Sequence, residues 1–180
     1  MAYSTDIEAA KALAQKAHEG QTDKAGLPYI THPERVASRL TTPEAQVVGW
    51  LHDTVEDTAL TVQDITDQFG PETAAAVDAI SRRDGEAWSD YIDRVAANPV
   101  ARQVKISDLI DNSNLSRIPH VTMKDVKRQA KYNKALKKLL EEELPASNTG
   151  PVSTLWPSPK ALTVCWRQRI FSTIIQNSRC

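Results

Sequence analysis

Apolar residues recur along most of this chain at the three- and four-residue steps of a helix. Ile7, Ala10, Leu13, Ala14 and Ala17 form a first stripe, preceded by a capping-box pattern at Thr5 and Glu8 and followed by a stop at Gly20. Asp23 to Ile30, with Gly26 and Pro28, reads as a loop. Pro33 suits the first turn of a short helix holding Val36, Ala37 and Leu40. Thr42-Pro43 opens a helix that the pattern carries through Val47, Val48, Trp50, Leu51 and Val55. Thr61 to Asp64 is a further cap, ahead of Ile65 and Phe69, and Pro71 starts an alanine-rich segment to Ser81. Tyr91, Ile92 and Val95 mark another helix, and Pro99 begins one carrying Val104, Ile106, Leu109 and Ile110. The last, from about Met123 to Leu144, is rich in Lys and Glu. No segment alternates as a strand does; only Val121 and the C-terminal stretch have β character. The expectation is an all-α helical bundle with short connections.

Composition adds limits. A chain of 180 residues with 41% hydrophobic content can bury one core. Twenty-two basic against 23 acidic residues leave a formal charge of −1, which argues against electrostatically driven binding to nucleic acid or membrane but not against a small anionic ligand. No apolar run approaches the roughly 18 residues that span a bilayer. Met1 to Asp6 is polar, so no secretory signal is expected. Cys165 and Cys180 form neither a disulfide framework nor a zinc spacing, and a reducing cytoplasm is the expected compartment. Charge changes abruptly after Glu143. Residues 144–180 contain Lys160, Arg167, Arg169 and Arg179 but no acid, giving +4, while residues 1–143 carry −5. Two regions follow: a helical domain over 1–143 and an irregular or loosely docked extension over 144–180.

Four positions suggest chemistry: His32, the pair His52-Asp53, and Asp108. Imidazoles and carboxylates together suit a divalent ion and leave an octahedral one free positions for water and substrate. In one continuous helix His52 and Asp53 would point about 100° apart, so they could share an ion only above that edge. Glu56 lies four residues after His52 and Asp57 four after Asp53, placed to orient or deprotonate a water. Asn112 lies four after Asp108 and could reach the same substrate; Lys24 and Lys105 could meet phosphate oxygens. Taken singly, each has an ordinary explanation as a loop histidine, a solvated helix end or a surface lysine. Only the combination points to a metal site. Arg82-Arg83 could border the pocket, whereas most of the cluster Lys124, Lys127, Arg128, Lys131, Lys134, Lys137 and Lys138 reads as a solvated helix face.

The segments AHEGQTDKAGLPYITHPERVA, VGWLHDTVEDT and ARQVKISDLIDN, in this order and spacing, resemble the HD-domain metal phosphohydrolases. The match is nearest to the alarmone hydrolase domain of RelA/SpoT homologues, including the small stand-alone hydrolases, and covers roughly residues 5–140. The resemblance implies Mn²⁺, or another divalent metal, held by His32, His52, Asp53 and Asp108. It implies water activation by Glu56 and Asp57, nucleotide contact by Asn112, and removal of the 3′-diphosphate from (p)ppGpp. His18 is a motif residue outside the ligand set and reads as a packed helix-end histidine. The implied partner is a nucleotide phosphate, with no nucleic acid and no membrane; a homo-oligomer is compatible with it. After Leu144 a synthetase half is not expected. Two departures stand out. Asp23-Lys24-Ala25-Gly26 replaces a family Arg-Lys-Ser-Gly whose arginine stacks on guanine, and Leu109 and Asp111 replace a family arginine and histidine. Both changes lower positive charge near the expected nucleotide. They leave two alternatives: an HD phosphohydrolase for another nucleotide, such as an adenine alarmone or a nucleoside phosphate, or a non-catalytic nucleotide- or partner-binding module.

Overall fold

The computed structural model describes residues 2–141, and the apolar stripes in that span fold as helices. These are α1 (Ala2–Ala17), α2 (Thr31–Ser38), α3 (Pro43–Leu51), α4 (Thr54–Asp57), α5 (Val62–Phe69), α6 (Pro71–Ile80), α7 (Trp88–Ala97), α8 (Pro99–Asn112) and α9 (Met123–Glu141), with a 3₁₀ turn at Leu115–Arg117. The described residues contain no β-strand; one isolated antiparallel bridge, Thr22 to Pro28, ties the ends of the expected loop. Pro43, Pro71 and Pro99 each open a helix, where a missing N–H breaks no hydrogen bond. Thr42 accepts from Ala45 N, Asn98 accepts from Val100 N and Ala101 N, and Thr61 with Asp64 closes a full capping box.

α3 buries Ala45, Val47, Val48, Gly49, Trp50 and Leu51, so it is apolar on nearly every side and belongs in the interior. It packs against α1, α2, α6 and α8; α8 in turn packs against α2, α6, α7 and α9. Gly49 sets how closely α2 and α3 approach. A Cβ there would lie 2.8 Å from Leu40 Cδ1 and 3.0 Å from the Ala37 Cα. The buried polar residues His32, His52, Thr54, Ser107, Asp108 and Asp111 come from α2, α8 and the stretch at the α3–α4 break. Among the described residues no helix is long and apolar enough to cross a membrane.

Two boundaries differ from the sequence reading. α1 begins at Ala2, so Thr5 is inside it and not its cap; no Gly or Pro among residues 2–4 stops the helix. The helix expected to run through Val55 ends at Leu51 and restarts at Thr54. Side chains take carbonyls at that end: His52 Nδ1 bonds Gly49 O at 2.8 Å and Thr54 Oγ1 donates to Leu51 O at 2.7 Å. Residues 142–144 of the expected last helix, and the whole extension over 144–180, lie outside the described residues.

Candidate metal centre and its cleft

The break between α3 and α4 shapes the site. His52 caps α3 with φ −59° and ψ −30°, and Asp53 caps α4 with φ −100° and ψ −5°. The turn brings together two neighbours that a straight helix would splay, with His52 Nε2 3.0 Å from Asp53 Oδ2. His32, in the first turn of α2, adds Nε2 at 3.5 Å from the same Asp53 oxygen. Asp108 of α8 adds Oδ1, 3.2 Å from His32 Nε2 and 3.9 Å from His52 Nε2. Residues 76 positions apart in the chain thus meet, with Asp108 against both imidazoles but outside the tighter group of three. His32, His52 and Asp53 alone form a group able to hold a metal ion.

The far side of each ring is occupied. His52 Nδ1 faces Gly49 O, an acceptor only, so Nδ1 carries the proton of a neutral ring and Nε2 its lone pair. His32 Nδ1 faces Asp111 Oδ2 at 2.9 Å. Among the described residues, the buried His52 Nε2 has no hydrogen-bond partner. Lone pairs aimed at two carboxylates need positive charge between them, so the residues present fit a divalent cation.

Titration follows the same logic without a metal. Burial by itself lowers the basicity of His32, but hydrogen bonds and charge from Asp108 and Asp111 outweigh it and lift the pKa to about 9. His52 is likewise raised: burial opposes, and Asp53 and Asp108 prevail. Burial pushes Asp53 and Asp108 upward, yet the neighbouring cations hold both well below the carboxylate range. His52 dominates for Asp53, and Lys105 for Asp108. Lys105 Nζ is 2.8 Å from Asp108 Oδ2, and that carboxylate keeps the buried lysine charged against its desolvation. Glu56 and Asp57 are raised, mainly by burial, which makes each a better proton acceptor.

A cleft of about 240 Å³ opens over the donors. Tyr29, Asp53, Glu56, Asp57, Lys105, Asp108 and Asn112 line it from the donor side, and Arg82, Trp88, Tyr91, Lys131 and Tyr132 complete the wall. Tyr29 OH donates to Asp53 Oδ2 at 2.5 Å, Asn112 Nδ2 donates to Asp108 Oδ1, and Glu56 Oε2 accepts from Arg82 N at 2.8 Å. Of the sequence candidates, Lys24 is not in this lining; its Nζ lies 3.4 Å from Asp125 Oδ1 on α9. His18 is buried, with Nδ1 2.9 Å from Gln21 Oε1 and its ring 4.9 Å from that of Tyr29, the packed helix-end role expected of it.

The structure qualifies three sequence readings. Lys131 is exposed, as expected of its face, but it also lines the cleft with Nζ 4.0 Å from the Trp88 ring centre. Leu109 and Asp111 do not thin the charge around a nucleotide. Leu109 is buried core, and Asp111, one turn beyond Asp108 on the same side of α8, is a buried carboxylate against His32 Nδ1 and outside the cleft lining. Asp23 folds its carboxylate back onto its own loop, with Oδ1 accepting from Ala25 N and Leu27 N. Trp88, Tyr132 and Tyr29 were missed as site residues. For Tyr29 a signal existed, its place three residues before His32; Trp88 and Tyr132 offered none beyond being aromatic.

The family model described as HD domain matches residues 10–143. The chain belongs to the HD domain family. Such a domain holds a divalent metal, in keeping with the donor set at the head of α2 and the α3–α4 break. This HD domain is similar to the GTP pyrophosphokinase of Streptomyces coelicolor, 34% identical over 142 residues that make up 72% of this chain and 16% of that protein. It is also similar to the bifunctional (p)ppGpp synthase/hydrolase SpoT of Escherichia coli, 40% identical over 90 residues, 48% of this chain and 13% of that protein. The guanosine-3′,5′-bis(diphosphate) 3′-pyrophosphohydrolase of Aquifex aeolicus is 31% identical over 122 residues, 61% of this chain and 18% of that protein. The chain therefore spans less than a fifth of each of these relatives. A solved structure of a metazoan ortholog of SpoT that hydrolyzes ppGpp superposes with a TM-score of 0.62 at 22% identity, covering 76% of this chain and 84% of that one; the likeness is one of fold.

Proposed function

We propose that this HD domain is a metal-dependent phosphohydrolase that removes the 3′-diphosphate of (p)ppGpp, with Mn²⁺ as its metal and the cytoplasm as its compartment. The observation that carries the reading is the meeting of His32 Nε2, His52 Nε2, Asp53 Oδ2 and Asp108 Oδ1 at the floor of a cleft lined by Lys105, Arg82 and Lys131. The similarity to a (p)ppGpp synthase/hydrolase and to a guanosine-3′,5′-bis(diphosphate) 3′-pyrophosphohydrolase suggests the substrate class. His32, His52, Asp53 and Asp108 would hold the metal. A divalent cation there acidifies water and offsets charge on a phosphoryl oxygen.

The chain's own groups account for the rest. Glu56 and Asp57 stand on α4, one turn beyond Asp53, and take the proton of the attacking water. The water oxygen bonds to the phosphorus on the ribose 3′ oxygen. The bond from that phosphorus to the 3′ oxygen breaks with its electron pair going to that oxygen, diphosphate leaves, and the proton goes to the 3′ oxygen to give the 3′-hydroxyl. Lys105, held by Asp108, faces the phosphate charge from the floor, and Asn112 orients both Asp108 and the nucleotide. Lys24 remains a candidate phosphate contact only if it leaves Asp125.

A panel of nucleotides incubated with the full chain and Mn²⁺, with and without chelator, tests this. The expected result is chelator-sensitive release of diphosphate from ppGpp. Metal binding without turnover of any nucleotide would favour a non-catalytic binding module. A second reading, action on another nucleotide, is favoured by Asp23: its carboxylate is engaged by its own loop and offers no surface for a base to stack on. Turnover of an adenine alarmone in preference to ppGpp, reversed by Asp23→Arg, would establish it.

A further inference from the structure

The two imidazoles of the donor set are fixed by unlike partners. His52 gives its Nδ1 proton to Gly49 O, a neutral backbone carbonyl. His32 Nδ1 instead meets the carboxylate of Asp111, which is 1% exposed. That carboxylate is itself seated by three guanidiniums. Arg35 Nε reaches both oxygens at 3.0 and 3.2 Å, Arg39 NH2 reaches Oδ1 at 3.0 Å, and Arg117 NH2 reaches Oδ2 at 3.0 Å. None of these four residues lines the cleft, so the cluster is built for something other than substrate contact.

Resting on the reading of His32 as a ligand, we propose that Asp111, seated by Arg35, Arg39 and Arg117, is a positioning residue: it fixes the His32 ring with Nε2 aimed at the donor point and so sets this centre's affinity for a divalent cation. An ionised carboxylate only accepts hydrogen bonds, which obliges His32 Nδ1 to donate and leaves the lone pair on Nε2. Three guanidiniums on one carboxylate hold its oxygens in place, so His32 Nδ1 faces a fixed acceptor. Asp111 lies three residues after Asp108 on α8, and Arg35 three after His32 on α2. The contact therefore locks together the two helices that supply His32 and Asp108. Without the carboxylate, the guanidinium donors would face Nδ1 and favour the tautomer protonated on Nε2, which offers no lone pair at the donor point.

The test measures Mn²⁺ affinity of the full chain by titration calorimetry, with folding checked by circular dichroism. Asp111→Asn is expected to weaken Mn²⁺ binding by about 10- to 100-fold. Asp78→Asn, which removes the exposed partner of Arg83, should change it less than about twofold, as expected of a surface pair. A folded Asp111→Asn chain that binds Mn²⁺ like wild type overturns the proposal. His32→Ala separates it from the ligand reading: unchanged Mn²⁺ affinity there sinks the reading itself. If Asp111→Asn does not fold, the wild-type chain decides. In its diamagnetic Zn²⁺ form, ¹⁵N histidine spectra should show His32 bound through Nε2 with the proton on Nδ1; a proton on Nε2 overturns the proposal.

Discussion

The floor of the cleft and its outer wall are built on opposite terms. The floor is buried and over-determined: His32, His52 and Asp108 are almost inaccessible, and each side chain answers to two or more charged or hydrogen-bonding partners. The wall, from Arg82, Trp88, Lys131 and Tyr132, is held by ring and cation–ring contacts. Lys131 Nζ lies over Trp88, the Trp88 and Tyr132 rings are 5.9 Å apart, and Arg82 lies 6.0 Å from the Trp88 ring centre. Contacts of that kind are each worth about 0.5–2 kcal/mol. The difference teaches a division of labour: rigidity where reacting groups must be placed, and a softer, cationic surface where a ligand must be admitted.

The largest expected effect is at the floor. His52→Ala or Asp53→Ala should remove bound metal and reduce nucleotide turnover by at least about 1,000-fold, read by metal analysis and product assay. Full turnover in either variant would break the contrast at once. Glu56→Gln should keep the metal and lower kcat by about 100- to 10,000-fold, with KM little changed. Loss of folding instead would assign Glu56 to holding Arg82 N.

At the wall, Lys131→Gln or Trp88→Ala should leave metal affinity alone and raise KM by roughly tenfold, the size expected from one lost contact with an anion or a stacked ring. A kcat loss equal to that at Glu56 would show that the wall, too, positions reacting atoms. The metal-free chain should show a pH signature that belongs to the floor alone. His32 is raised from its unfolded value near 6.5 to about 9, so its stabilisation is complete below about pH 6.5 and is lost as pH rises through 9. The melting temperature without metal should therefore fall across that window, and saturating Mn²⁺ should flatten the fall. Smallest of all, Lys24→Gln should alter turnover by less than about twofold, because Lys24 is exposed and paired with Asp125 outside the cleft.

Most helices were legible because their signals are local. Pro43, Pro71 and Pro99 start helices, Thr61 and Asp64 cap one, and the apolar spacing of α8 gives its buried face. The candidate donors His32, His52 and Asp53, which the fold brings together, were legible through the HD pair and its flanking motifs. The break after Leu51 was not, since it depends on His52 and Thr54 side chains taking carbonyls that an uninterrupted helix would have used. The place of Lys131 in the cleft was not legible because it is exposed like Lys124, Lys127, Lys134 and Lys137, and helical periodicity alone cannot say which exposed lysine a neighbouring aromatic ring draws in. Asp111 was misread because its charge was visible but its direction was not.

The sequence by itself determined the helical class, most helix starts, and the residue types able to grip a cation, because propensity, capping and ligand chemistry belong to the residues themselves. Only the tertiary structure decided that His52 and Asp53 converge, that Asp111 contacts His32 Nδ1 outside the cleft lining, and that Arg82, Trp88, Lys131 and Tyr132 form one wall. Those outcomes depend on distances between segments far apart in the chain, and such distances are set by the packing of α2, α3 and α8, not by any local preference.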